Sequence, residues 1–222
     1  MSNLVDVLEQ TTLKEIKLWY PSGTLWVHRF HNITGIMEGE CKVWHENGQL
    51  MMAGNYRDGQ KDGEHKRWFR DGKLHEQEIY RNGRVEEERK LWYSSGQICS
   101  QEFYRNGFRD GLQKYWHGNG QLAVQELIKN GKFEGMQKSW YKNGHIDYLE
   151  HRNRGSRDGE YRTFWDDGKP RHREYRFCGR LMDQRFTFNK KMIFTKIKSE
   201  YWHLSIPLLE SFLISDLRST VA

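Results

Sequence analysis

An aromatic side chain recurs every 24 residues through the middle of the chain: Trp44, Trp68, Trp92, Trp116 and Trp140, with Phe164 at the next step. Four residues after each stands Gly48, Gly72, Gly96, Gly120, Gly144 or Gly168. Fifteen after each stands Gly59, Gly83, Gly107, Gly131, Gly155 or Gly179. Gly fills 21 of 222 positions, so six in one column by chance is on the order of one in a million. A chain with so short and strict a period folds as a stack of like units, each resting mainly on its neighbours.

The first glycine column has a mechanism. The residue before it is Asn47, Asp71, Ser95, Asn119, Asn143 or Asp167, and Asn, Asp or Ser before Gly signals a hairpin turn. A type I turn closed by a left-handed Gly places Trp44 opposite Leu50, Trp68 opposite Leu74, Trp92 opposite Ile98, Trp116 opposite Leu122 and Trp140 opposite Ile146. A two-residue loop would change the parity and break these pairs. The second turn reads as the longer one, spanning Tyr56 to Gly63, with Gly59 and Gly63 supplying unusual backbone angles. Each unit is then two short strands and two turns. The fold expected is all-β, an elongated antiparallel meander of 24-residue hairpins.

Two charged columns follow the same period. Lys42, Lys66, Lys90, Lys114, Lys138 and Arg162 stand two residues before the aromatic, and Glu78, Glu102, Glu126, Glu150 and Glu174 ten after it, with Gly54 the exception. If Tyr80 faces Glu88, then Glu78 faces Lys90, Glu102 faces Lys114, Glu126 faces Lys138 and Glu150 faces Arg162. That predicts an exposed cross-strand ion-pair ladder, each pair worth only ~0.2–1 kcal/mol and setting register more than stability.

The ends depart from the pattern. Residues 1–18 read as an N-terminal cap, residues 19–188 as the array of one degenerate and about six regular units, and residues 189–222 as a C-terminal cap segment. In the degenerate unit Trp19, Pro21, Gly23 and Gly39 match, with about one extra residue between the glycines. After Gly179 the pattern fades, although Phe188 keeps the aromatic register. Residues 199–217 are the most apolar stretch, and from Pro207 they read as a short helix. It is expected to cover the last strand edge; a helix that docks a partner is the alternative.

Composition narrows the function classes. The chain is 30% charged with a net charge of +6. Leu, Ile, Val and Phe make up only about a fifth of it, a level close to disorder. Nine Trp and eleven Tyr argue for order, since each ring buries a large area. Cys41, Cys99 and Cys178 are sparse and form no CxxC pair, which suits a reducing, cytoplasmic setting. No signal peptide and no transmembrane segment are read from the sequence.

Repeat chemistry accounts for the reactive side chains better than a catalytic or metal site does. Five equivalent Glu suit a structural column better than a catalytic site, which needs one special arrangement. His28 and His31 are a close pair, as are His145 and His151, but no Cys or carboxylate completes a zinc spacing. His45 and His117 share a column with Phe69, Tyr93, Tyr141 and Trp165 and read as face residues. No phosphate-cradling glycine loop occurs, and Cys99 has no assigned His partner. Catalytic, cofactor and metal residues are therefore all expected to be absent. The strongest candidate surface is basic: Arg171, Arg173, Arg176, Arg180, Arg185, Lys190 and Lys191, interleaved with Tyr175, Phe177, Phe186 and Phe188. Nucleic acid or acidic lipid are its candidate ligands.

Trp116-His117-Gly118-Asn119-Gly120-Gln121-Leu122, and segments such as Tyr104-Arg105-Asn106-Gly107 followed by Asp110-Gly111, carry a family resemblance. They resemble the MORN repeat variant, the form found in bacterial antitoxin-like proteins and in multi-repeat proteins of large DNA viruses. The resemblance covers roughly residues 19–185. It implies a hairpin-repeat fold and no particular activity; the closely spaced Gly-x-Gly of the standard unit is absent. The function expected is a non-catalytic scaffold for a protein partner. The alternative is peripheral binding of anionic lipid or nucleic acid through the basic C-terminal third. Exposed sheet edges also favour edge-to-edge self-association.

Overall fold

The computed structural model describes residues 13–177 and 179–181, with the backbone of two further strands. β1 (Lys14–Trp19) and β2 (Leu25–His31) form the first hairpin. The regular units begin with β3 (Met37–Trp44) and β4 (Leu50–Arg57), then β5 (Gln60–Trp68) and β6 (Leu74–Arg81), then β7 (Arg84–Trp92) and β8 (Ile98–Arg105). Next come β9 (Phe108–Arg109), β10 (Gly111–Trp116) and β11 (Leu122–Lys129), then β12 (Lys132–Phe133), β13 (Gly135–Trp140) and β14 (Ile146–Asn153). β15 (Ser156–Phe164) and β16 (Pro170–Phe177) complete the regular series, and β17 (Arg180–Leu181), β18 (Arg185–Phe188) and β19 (Phe194–Ile197) follow. β9 and β12 are the opening residues of β10 and β13, parted from them by Asp110 and Glu134.

Strands pair antiparallel in chain order throughout, giving one open meander. There is no helix among the described residues. The expected C-terminal helix over 199–217 lies outside them. Past the fading of the glycine pattern, β18 and β19 still pair, with Phe188 facing Phe194.

The first turn of each unit has the expected form. His45 N–H donates to the Gln49 carbonyl at 2.8 Å and Gly48 N–H to the His45 carbonyl at 2.9 Å. Gly48 has φ +83°, so the turn is type I closed by a left-handed glycine, a conformation a side chain disfavours. Trp44 faces Leu50, Trp68 faces Leu74, Trp92 faces Ile98, Trp116 faces Leu122 and Trp140 faces Ile146.

The second turn is shorter than expected. Arg57 pairs directly with Gln60, and both Asp58 (φ 51°) and Gly59 (φ 75°) are left-handed. This is the two-residue type I′ hairpin, which Asn-Gly and Asp-Gly favour because its twist matches the strands. In the first unit the Asn32–Ile36 turn instead closes like a type I loop, with Asn32 N–H on the Ile36 carbonyl. That accounts for the extra residue between Gly23 and Gly39.

Gly63 belongs to a strand. Ala53 pairs with Lys66 and Asn55 with Asp62, so Gly54 alone faces Gly63, Glu64 and His65. This wide bulge needs a left-handed residue, and Gly39, Gly63, Gly111, Gly135 and Gly159 supply it. In the third regular unit the position is Glu87, at φ 60°. Glu87→Gly removes that strain and is expected to raise stability by about 1 kcal/mol. An unchanged or lower urea midpoint would count against it.

The units are stitched along both rows of turns. The Tyr93 and Tyr141 hydroxyls donate to the carbonyls of Trp116 and Phe164 in the next unit, at 2.6 and 2.9 Å. His117 Nε2 reaches the Trp140 carbonyl at 2.8 Å and His45 Nε2 that of Trp68 at 3.3 Å. The column of His45 and His117 is thus a row of clamps between units. Asn47, Asn119 and Asn143 do double duty: each accepts from its own turn and donates to a carbonyl 23 residues on. At the opposite edge Glu38, Glu86, Asp110 and Glu134 accept from the backbone N–H of Asp58, Asn106, Asn130 and Arg154.

Candidate functional site

The pairing defines two faces. Val27, Cys41 and Val43, with Met37, Met51, Met52 and Tyr56 packed against them, form an apolar cluster at the N-terminal side. Further along, the same face is polar yet buried: Glu76, Glu78, Glu102, Glu150 and Glu174 are only 3–7% exposed, and Gln113 is fully buried. A single-layer sheet buries side chains this deeply only by curling around them, so this is the inner face.

The expected Glu–Lys ladder does not form. Gln77, not Glu78, pairs with Lys90, and Gln101 pairs with Lys114. The bulge places Glu78 one residue off that register, and a one-residue slip moves a side chain to the other face. The glutamates turn inward and meet arginines. Arg89 reaches Glu76 at 2.5 Å, Glu78 at 2.9 Å and Glu102 at 3.5 Å. Arg109 lies 3.4 Å from Glu102. Arg152 and Arg157 hold Glu150, and Arg176 holds Glu174 at 2.9 Å. Burial works to raise the Glu76 carboxyl, but the Arg89 hydrogen bond and charge outweigh it and hold it below the usual range. Glu174 is likewise held low, with burial opposed by Arg176.

Glu126 differs. Among the described residues it has no ion pair, and burial pushes its carboxyl up against the more distant charges of Arg109 and Arg152. Tyr115, on the same face, is pushed up to about 12, by burial first and then by Glu102 and other charges.

Gly54 has a structural cause. A Cβ on it would fall on the His65 ring, whose Nε2 meets the Asn55 carbonyl at 2.8 Å. In later units glutamine does this work: Gln113 accepts from Phe103 N–H at 3.1 Å and donates to the Phe103 carbonyl at 3.0 Å, standing in for a ladder pair lost to the bulge. Gln137 does the same at Leu127. Beside His65 lies an open hollow of about 360 Å³ lined by Met51, Met52, Tyr56, Lys61, His65, Arg67 and Glu78. Burial lowers the Lys61 ammonium, which sits 3.1 Å from the Tyr80 hydroxyl.

The outer face carries two parallel rows. In one, Lys66 faces Gln77, Lys90 faces Gln101, Lys114 faces Gln125 and Lys138 faces Leu149. In the other, Glu64 faces Ile79, Glu88 faces Phe103, Leu112 faces Leu127 and Met136 faces His151.

The basic candidate surface is divided between the faces. Arg176 points inward onto Glu174. Arg173 is outward but shares Glu160 with Arg162, both at 2.7 Å. Arg171 stacks over Trp165 at 4.5 Å and is exposed, as is Arg180. Of Arg185 only the backbone is described, and Lys190 and Lys191 lie outside the described residues. Two features escaped sequence reading: the inward glutamate–arginine network, and the acidic column from Glu38 to Glu134 that caps the turns. The second column was visible as a 24-residue recurrence one residue before the bulge position.

A sequence profile of the MORN repeat variant matches residues 37–58, 61–82, 88–106 and 109–130. These matches fall on consecutive hairpins from β3 to β11, and β13 to β16 repeat the same type I loop and inter-unit clamps beyond them. No curated protein matches the chain. The period, the paired turn types and this match agree: residues 37–130 are tandem copies of the MORN repeat variant.

Proposed function

We propose that the chain is a non-catalytic scaffold that holds a protein partner on its outer face. The observation that carries this reading is the contrast between the faces. Inner carboxylates are mostly consumed by neighbouring arginines, whereas the outer rows run unit after unit with contents that change along the array. Inter-unit clamps hold those rows in fixed register, which lowers the ordering cost of binding. Cys41 and Cys99 are free thiols, which suits the reducing cytoplasm. No helix among the described residues is long and apolar enough to cross a membrane.

A photo-crosslinking residue at outer Gln125 is expected to give a discrete protein adduct in native cytoplasm, competed by unlabelled protein. The same residue at inner Val124 is expected to give none. Equal labelling from both positions, or adducts only to lipid or nucleic acid, would refute the scaffold.

A second reading, anionic lipid or nucleic acid at the C-terminal third, draws support from Tyr175 and Phe177, 47% and 59% exposed, near the exposed Arg171 and Arg180. It requires binding to anionic vesicles or DNA that survives physiological salt.

A further inference from the structure

Along most of the outer face each cation is neutralised by an acid two residues earlier in its own strand. Lys42 meets Glu40 at 2.7 Å, Lys66 meets Glu64 and Lys90 meets Glu88 at 2.6 Å, and Arg162 meets Glu160 at 2.7 Å. In β10 and β13 the acid is replaced by Leu112 and Met136. Among the described residues, Lys114 and Lys138 then have neither an ion pair nor a side-chain hydrogen bond. The same replacement joins Phe103, Leu112, Leu127 and Met136 into an apolar run across four neighbouring strands. Leu127 and Met136 are 37% and 42% exposed. One local departure from the repeat thus frees two positive charges and lays an apolar strip beside them.

We infer that this mid-array patch binds an acidic amphipathic helix of a partner protein. The inference rests on the scaffold reading and gives it a place and a chemistry. Lys114 and Lys138 flank Gln125 from either side, so their Cα atoms are about 10 Å apart, two strand spacings. The apolar run lies two residues along the strands, about 7 Å away. A helix laid across the strands presents residues i and i+7 on one face about 10.5 Å apart. Two acids at that spacing meet both lysines, and apolar residues at i+4 and i+8, both displaced to one side of the acid row, reach the strip. A basic segment would meet two unneutralised charges of its own sign. A purely apolar one would leave both lysines desolvated without a partner.

The test uses the full chain and a fluorescein-labelled helical peptide with Glu at i and i+7 and Leu at i+4 and i+8, followed by anisotropy at physiological salt. A peptide with Lys in place of Glu is the counter-probe. Saturable binding of the Glu peptide is expected, weakened at least tenfold in the double variant Lys114→Glu/Lys138→Glu. Leu127→Ser/Met136→Ser should weaken it similarly. Lys42→Glu/Lys66→Glu, in the same column but among neutralised positions, should change it less than twofold. Circular dichroism must show each variant folded; Lys114→Gln/Lys138→Gln serves if the charge reversals do not fold. No saturable binding, equal loss in both lysine pairs, or a preference for the Lys peptide would overturn the inference. So would uptake by phosphatidylserine vesicles with the same Lys114 and Lys138 dependence in place of peptide binding. If the Gln125 crosslink persists in Lys114→Glu/Lys138→Glu, the scaffold stands and the assignment of this patch falls alone.

Discussion

Replacing Gly54 by Glu is expected to lower stability by roughly 2–4 kcal/mol, and adding His65→Gln is expected to restore at least half of the loss. Elsewhere the column holds glutamate, so by composition Gly54→Glu looks like a repair. The structure reverses the sign, because the His65 ring already fills the space of a Cβ there. The collision displaces a buried ring and breaks its contact with the Asn55 carbonyl. Overpacking of this kind costs about 1–3 kcal/mol, and the stranded carbonyl adds to it. The double variant recreates the combination found at Glu102 with Gln113 and at Glu126 with Gln137, eleven residues apart each time. Glutamine reaches the backbone from a path that leaves room for the carboxylate. Denaturation followed by far-ultraviolet circular dichroism decides it. A single variant as stable as the parent, or a double no better than the single, would show that the two positions are not coupled.

Arg89→Met is expected to cost about 3–5 kcal/mol at pH 7, the range for removing one partner of a buried ion pair. Glu78 would keep only the Tyr80 hydroxyl at 2.7 Å, and Glu76 and Glu102 would lose their most buried counter-charge. The effect depends on pH in a defined direction. In the parent, Glu76 has its folded pKa held below the ordinary value of 4.5, with Arg89 outweighing burial. Its contribution is therefore present above that value and is lost as pH falls through the lowered one. In the variant burial prevails and the folded pKa rises. The Glu76 carboxylate then destabilises above the raised value, and the penalty fades as pH falls through it. The gap between the two proteins should be widest near neutrality and narrow below about pH 4.5. A gap of constant size would assign the loss to packing of the Arg89 stem instead.

Much of the fold was legible because turn chemistry is local. Asn-Gly and Asp-Gly at a fixed interval specify hairpins without reference to anything distant, and Trp and Leu six residues apart set the parity that makes the first turn a type I loop. The second junction was not legible in the same way. Gly59 and Gly63 both demand left-handed backbone, and sequence alone does not say that one lies in the turn and the other in a bulge four residues on. Merging them moved the register by one residue and sent the Glu78 column to the wrong face. Hydropathy gave no correction, because the buried face is lined with Glu, Arg, Gln and Tyr and the outer one with Lys, Glu and Gln. The exception at Gly54 was visible, yet its meaning required knowing that His65 lies across the strand. The change from Glu40, Glu64 and Glu88 to Leu112 and Met136 was also in plain view. It had no significance until the strands were in register.

The clamps between successive units are unequal, and this gives the array a seam. At the hairpin that follows Trp68 the two clamping positions hold Phe69, which has no donor, and Asp71, which has none when ionised. On that row Lys73 alone crosses to the next turn, meeting the Ser94 carbonyl at 3.0 Å. Arg89 ties β6 to β8 across the same boundary through Glu76, Glu78 and Glu102. Cohesion on this row thus leans on a charged group where the joint before it has the His45 and Asn47 clamps, so this joint is expected to be more sensitive to acid than that one.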